Sequence, residues 1–92
     1  LQIAEKARIE EKLVGIYLGL ARVYRNLGEF PISRNYADKS LKLARENGEW
    51  RALAETYQTI ATGYFQEGSY QKALEYFEQA VIIIGERRAP FL

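Results

Sequence analysis

The sequence predicts an all-α fold made of two helical hairpins in tandem. Three observations carry that expectation. The chain echoes itself at a shift of 40 residues, its apolar positions recur at helical spacing, and glycines punctuate the pattern where helices must end. The shift pairs Leu1 with Leu41, Ala4 with Ala44, Leu13 with Leu53 and Tyr17 with Tyr57. It goes on to pair Ala21 with Ala61, Tyr24 with Tyr64, Gly28 with Gly68 and Tyr36 with Tyr76. These identities fall on apolar, small or turn positions. Leu20 with Ile60 and Phe30 with Tyr70 are conservative pairs between them. No stretch keeps the two-residue alternation of a strand.

The first helix is expected over 2–27. Its segment "LQIAEKARIEEKLVGIYLGLARVYRNL" has nothing to break it at Ala7-Arg8, the positions that correspond to Asn47-Gly48. Gly28 ends it. A second helix follows over 31–46, with Pro31 in the first turn, where a missing N–H costs little. Asn47-Gly48 then separates the two units. The third helix, over 49–67, carries a core stripe of Leu53, Ala54, Tyr57, Ile60, Ala61 and Tyr64. Glu67-Gly68-Ser69 closes it, Gly68 supplying a left-handed conformation and Ser69 an N-cap for the fourth helix. That helix, over 70–86, has Tyr70, Ala73, Leu74, Phe77, Ala80, Val81 and Ile84 as its stripe. Repeat units over 9–46 and 49–86 result, within a single domain spanning 1–92.

Small side chains let helices approach closely, so Ala61 and Ala73 are expected where the second hairpin closes. The seven tyrosines read as core, filling the wedge between adjacent hairpins, in preference to a ligand-stacking platform. Gly15 and Gly19 form a G-x-x-x-G, but Arg22 and Arg25 make the helix too polar for a membrane. Close packing on a neighbouring helix is the expectation there.

Composition excludes several classes of function. The 92 residues are 48% apolar and 27% charged, a globular balance, and the net charge of +1 gives no electrostatic pull towards nucleic acid or an anionic membrane. There is no Cys, so neither disulfides nor thiolate metal sites are available, and a reducing, intracellular and cytoplasmic setting is compatible. There is no His, the commonest general base near neutral pH and the commonest metal ligand. Asp38 is the only Asp, and the Glu residues at 10, 11, 46, 49, 75 and 78 read as a solvated face with no paired catalytic setting. An enzyme, a metal or a cofactor is not expected. Met is absent even at position 1, so the chain reads as a piece of a longer protein.

The register resembles the tetratricopeptide repeat, a helix-turn-helix unit with an aromatic, a small pair, a Tyr, then an Ala and an aromatic. The second unit supplies Tyr57, Ile60-Ala61, Tyr64, Gly68, Tyr70, Ala73, Phe77 and Ala80. The first supplies Tyr17, Leu20-Ala21, Tyr24, Gly28 and Phe30, then a weaker second helix with Ser33, Ala37 and Ser40. The unit is longer than the usual 34 residues, and the closing Pro of the family reads Arg45 and Gly85 here. Such a 40-residue unit looks like the variant in spindle-orientation adaptors, kinesin light chains, ciliary dynein-docking proteins and some bacterial regulators.

The resemblance implies a right-handed α-solenoid that binds another protein, without catalysis, in a concave groove lined by the first helix of each repeat. By register that face is Gly15, Leu18, Arg22, Arg25 and Asn26, then Glu55, Gln58, Thr62, Phe65 and Gln66. Arg22 and Arg25, one turn apart, suit an acidic group or a C-terminal carboxylate, and Phe65 is a candidate aromatic anchor. The same residues also read as solvated arginines and a Phe packed on a neighbouring repeat. The Lys and Asn clamp of chaperone-tail binders is missing, because its positions hold Leu18 and Arg22. A scaffold or adaptor in a cytoskeletal or ciliary complex is the leading expectation. The alternative is a sensing module that couples ligand binding to an attached DNA- or nucleotide-binding domain.

The ends carry a further expectation. Residues 81–92 echo 41–52, so "VIIIGERRAPFL" reads as the end of one repeat and, over 87–92, the first turn of another, with Pro90 opposite Trp50. Ile82, Ile83, Phe91 and Leu92 at one end, and Leu1, Ile3 and Ile9 at the other, are expected to be uncovered. Self-association through these ends, as a dimer, is the expected result.

Overall fold

The computed structural model describes residues 2–88. Four helices follow one another: α1 (Ile3–Asn26), α2 (Phe30–Glu46), α3 (Trp50–Gln66) and α4 (Tyr70–Arg88). No strand occurs among the described residues. As its sequence implies, α1 runs unbroken through Ala7 and Arg8. Pro31 lies in the first turn of α2, where its ring meets no preceding helical carbonyl.

The three turns share one geometry. Gly28, Gly48 and Gly68 have φ of 79°, 66° and 85°, the left-handed region open to glycine at little cost. At the first turn the Gly28 N–H donates to the Arg25 carbonyl, and the Glu29 N–H reaches back to the Tyr24 carbonyl at 2.9 Å. Gly48 with Glu49 and Gly68 with Ser69 repeat the pattern, so each helix end is closed by its own backbone. Side-chain caps are not used at the starts of α1, α2 and α3. Ser69 enters through its backbone, its carbonyl accepting from the Ala73 N–H at 3.0 Å.

Helices α1 and α2 form one hairpin and α3 and α4 the other, with α2 packed on α3 and a lighter contact between α1 and α3. The result is a slab of 44 × 36 × 14 Å, thin enough that every helix keeps an outer face. Its centre is Ala21, Ala37 and Ile60, with Tyr36, Leu41, Tyr64 and Tyr76 packed around them. Alanine at 21 and 37 brings α1 and α2 close enough for the Ser33 hydroxyl to donate to the Ala21 carbonyl at 2.6 Å. Ala61 and Ala73 are likewise buried where α3 meets α4.

The tyrosines meet the expectation in part. Tyr17 and Tyr24 stack on Tyr36 at 6.3 and 5.7 Å, and Tyr57 and Tyr64 contact Tyr76 at 6.1 and 5.5 Å. Each set therefore bridges the two helices of one hairpin, while Tyr36, Tyr64 and Tyr76 also pack on the core between hairpins, where Arg34 lies over the Tyr64 ring at 4.6 Å. Burial among these rings raises the pKa of Tyr76, with Tyr64 and Asp38 adding to the effect. Tyr70 is exposed, as are Leu74, Val81 and Ile84, which the helical stripe of α4 assigned to the core. The stripe is real, but no helix packs on that side of α4. Gly15 and Gly19 also lack the expected neighbour, since a Cβ on either would meet open space.

The joint between hairpins is polar and specific. Ser40 and Thr56 are buried and share a hydrogen bond of 2.9 Å, while the Thr56 hydroxyl donates to the Ala52 carbonyl at 2.7 Å. Arg34 forms an ion pair with Glu67, and that hydrogen-bonded carboxylate holds the arginine pKa above its ordinary value. Gly63 is buried where the Arg25 stem and the Phe30 ring cross α3, each 3.8 Å from where a Cβ would stand.

Candidate functional site: the face shared by α1 and α3

Helix periodicity places Gly15, Leu18, Arg22, Arg25 and Asn26 along α1, and Glu55, Gln58, Thr62, Phe65 and Gln66 along α3, as one stripe on each helix. The structure brings the two stripes together at one point. The Arg22 guanidinium lies 3.5 Å from the Glu55 carboxylate, with both side chains about half exposed. Towards the start of α3 the two helices enclose a cleft of about 520 Å³, lined by Gly15, Leu18 and Glu55 together with Glu11, Trp50 and Arg51. The open Cα of Gly15 widens it.

Two of the expected site residues behave differently. Leu18 is 5% exposed, so it forms the floor of the cleft and offers no side chain to a ligand. Phe65 is exposed but leans on Tyr70 of α4, edge to face at 5.2 Å, which sets it at the rim next to α4. Gln58, Thr62 and Gln66 continue the α3 stripe as polar side chains, and the Thr62 hydroxyl donates to the Gln58 carbonyl at 2.9 Å.

Arg25 is the electrostatically unusual member. Its Nε is buried with no hydrogen-bond partner, and a terminal nitrogen makes only a long contact of 3.4 Å to Asn26 Oδ1. Burial lowers its pKa, and the neighbouring Arg22 charge lowers it further. Among the described residues no carboxylate pairs with it. An anion delivered to this point would meet a cation with unused donors.

A second cleft, of about 420 Å³, opens between α3 and α4, walled by Trp50, Ala54, Phe77, Ala80, Val81 and Ile84. Glu55 and Gln58 also line it, and Glu55, which lines both, stands on the ridge between the two clefts. Trp50, which the groove register left out, is the residue common to both clefts with the largest side chain, and Arg51 and Arg87 lie over its ring at 5.3 and 5.9 Å. As the only Trp of the chain, placed at the start of a helix, it was open to notice.

These features define a helical-hairpin repeat module whose chemistry lies on helix faces. Residues 13–82 match the family described as Tetratricopeptide repeat. The chain belongs to the tetratricopeptide repeat family, whose members are in general non-catalytic domains that bind other proteins. No solved structure matches the chain. Among the described residues, no helix is long and apolar enough to cross a membrane.

Proposed function

We infer that the chain is a non-catalytic interaction module whose α1–α3 face holds an acidic segment of a partner protein. The observation that carries this reading is Arg25, partly buried, beside Arg22 and without a carboxylate of its own among the described residues. Glu55 already occupies Arg22, so the unmet demand is concentrated on Arg25. A partner carboxylate, from a side chain or a chain terminus, satisfies the guanidinium, while Asn26, Gln58, Thr62 and Gln66 offer polar contacts along the segment. Phe65 at the rim gives its apolar residues a surface. An adaptor role in a cytoskeletal or ciliary assembly, in the cytoplasm, is the setting that the long repeat unit suits.

Peptides selected from a random displayed library against the chain provide the test. Sequences rich in Asp and Glu, or ending in a free carboxylate, are expected. Charge-assisted hydrogen bonds contribute about 1.5–3 kcal/mol each. The double variant Arg22→Glu/Arg25→Glu should therefore weaken the selected peptides about tenfold or more, and leave the residual affinity less sensitive to salt. Phe65→Ala should weaken them without loss of helicity. Selection of peptides with no acidic preference, or unchanged binding by the double variant, would remove the proposal.

A further inference from the structure

The 40-residue register allows the two ends of the molecule to be compared with its own middle. Within the chain, α3 seats on the first hairpin, and Val14, Leu18, Ala37, Ser40 and Ala44 are buried there. Their counterparts in the second hairpin are Ala54, Gln58, Phe77, Ala80 and Ile84, and these wall the open cleft between α3 and α4. The seat that α3 fills is thus present a second time, and among the described residues nothing fills it.

The surface that would fill it is also present a second time. The residues with which α3 meets the first hairpin, Thr56, Gly63 and Glu67, correspond on α1 to Ile16, Val23 and Leu27. All three are exposed, at 56%, 54% and 67%. Each internal contact can be carried over by adding 40 to the seat and subtracting 40 from the filler. The buried Ser40–Thr56 hydrogen bond becomes Ala80 facing Ile16. The Arg34–Glu67 ion pair becomes Leu74 facing Leu27, and Leu74 is 51% exposed. The approach of Arg25 and Phe30 to Gly63 becomes an approach of Phe65 and Tyr70, both exposed, to Val23. The Ser40–Thr56 and Arg34–Glu67 pairs both map onto apolar pairs, while the exposed Arg22–Glu55 pair maps onto Thr62 facing Gly15. An unmatched surface would instead set an apolar residue against a charge at some of these positions.

We propose that the open seat on α3 and α4 receives α1 of a second copy of this chain, in the register by which α3 sits on the first hairpin. Copies then join head to tail. The contact is heterologous, so each added copy presents a new open seat, and association continues past the dimer unless the rotation closes a ring. Continuous burial of apolar ends by stacking neighbours is what makes such arrays stable.

Sedimentation velocity over a concentration series tests this with single-end variants. For the wild-type chain of 10.6 kDa the average mass should rise with concentration beyond that of two chains. Leu27→Glu spoils only the filler and Leu74→Glu only the seat. Each alone should stay monomeric with unchanged helical circular dichroism, since both positions are exposed. An equimolar mixture should form a 1:1 heterodimer and stop there, because one intact end remains on each. The double variant Leu27→Glu/Leu74→Arg, which copies the internal Glu67–Arg34 pair, should assemble again. A wild-type chain that stays monomeric at high micromolar concentration overturns the proposal. So does a mixture that fails to pair, or a single variant that dimerises as fully as the wild type, which would mark a symmetric contact. Leu27 and Leu74 lie off the α1–α3 face, but the seat shares Gln58 and Phe65 with it, so the peptide-binding reading is tested on the single variants, which keep that face free.

Discussion

Ser40 and Thr56 meet in the one place where two buried hydroxyls cross between hairpins. Thr56 already donates to the Ala52 carbonyl, so the shared proton comes from Ser40. Thr56→Val would leave the Ser40 hydroxyl buried without that acceptor, at a cost of about 1–3 kcal/mol. Ser40→Ala added to it should recover part of the loss, because removing both partners leaves no buried donor unmet. Urea unfolding of the two single variants and the double variant closes the cycle. Additive costs would show that the bond does not contribute. At this scale the sequence was legible where size alone decides, as at Ala21, Ala61 and Ala73. It was not legible at Arg34–Glu67 or Arg22–Glu55, because spacing along a chain does not say which charges a second helix brings opposite.

The ends of α1, α2 and α3 each rest on a glycine in a left-handed conformation, and Gly48 is the cleanest case for a test. No side chain crowds it, so a Cβ there meets only the backbone strain of its φ of 66°. Gly48→Ala should lower stability by about 1–2 kcal/mol, the ordinary cost of left-handed geometry for an L-residue. A thermal scan that finds the variant as stable as the wild type would show that the turn relaxes by another route. The four helices were readable in advance to within two residues at each end, because Gly, Pro and the 3.6-residue stripes act locally. The stripe of α4 shows the limit of that reading. Its period gives one apolar stripe of Tyr70, Ala73, Leu74, Phe77, Ala80, Val81 and Ile84. Of these, Ala73 and Ala80 are buried and Tyr70, Leu74, Val81 and Ile84 exposed, because coverage depends on a neighbour that periodicity does not contain.

For the molecule as a whole, two apolar ends flank a face on which Arg25 has no carboxylate partner among the described residues. On the proposed readings a second copy covers the exposed Ile16, Val23, Leu27 and Leu74, and a partner carboxylate meets the terminal nitrogens of Arg25. The family resemblance, mapped by helical register, put Arg22, Arg25, Glu55 and Thr62 on one face, and the structure brings Arg22 and Glu55 of that set together. The depth of Leu18 and the lean of Phe65 onto Tyr70 were not legible in the sequence, as both depend on the distance between helices. The most direct measurement of the central claim is an amide chemical-shift map of the chain titrated with a selected acidic peptide. The largest changes should fall along α1 and α3, near Arg22, Arg25, Gln58 and Thr62. Changes confined to the outer faces of α2 and α4 would contradict it.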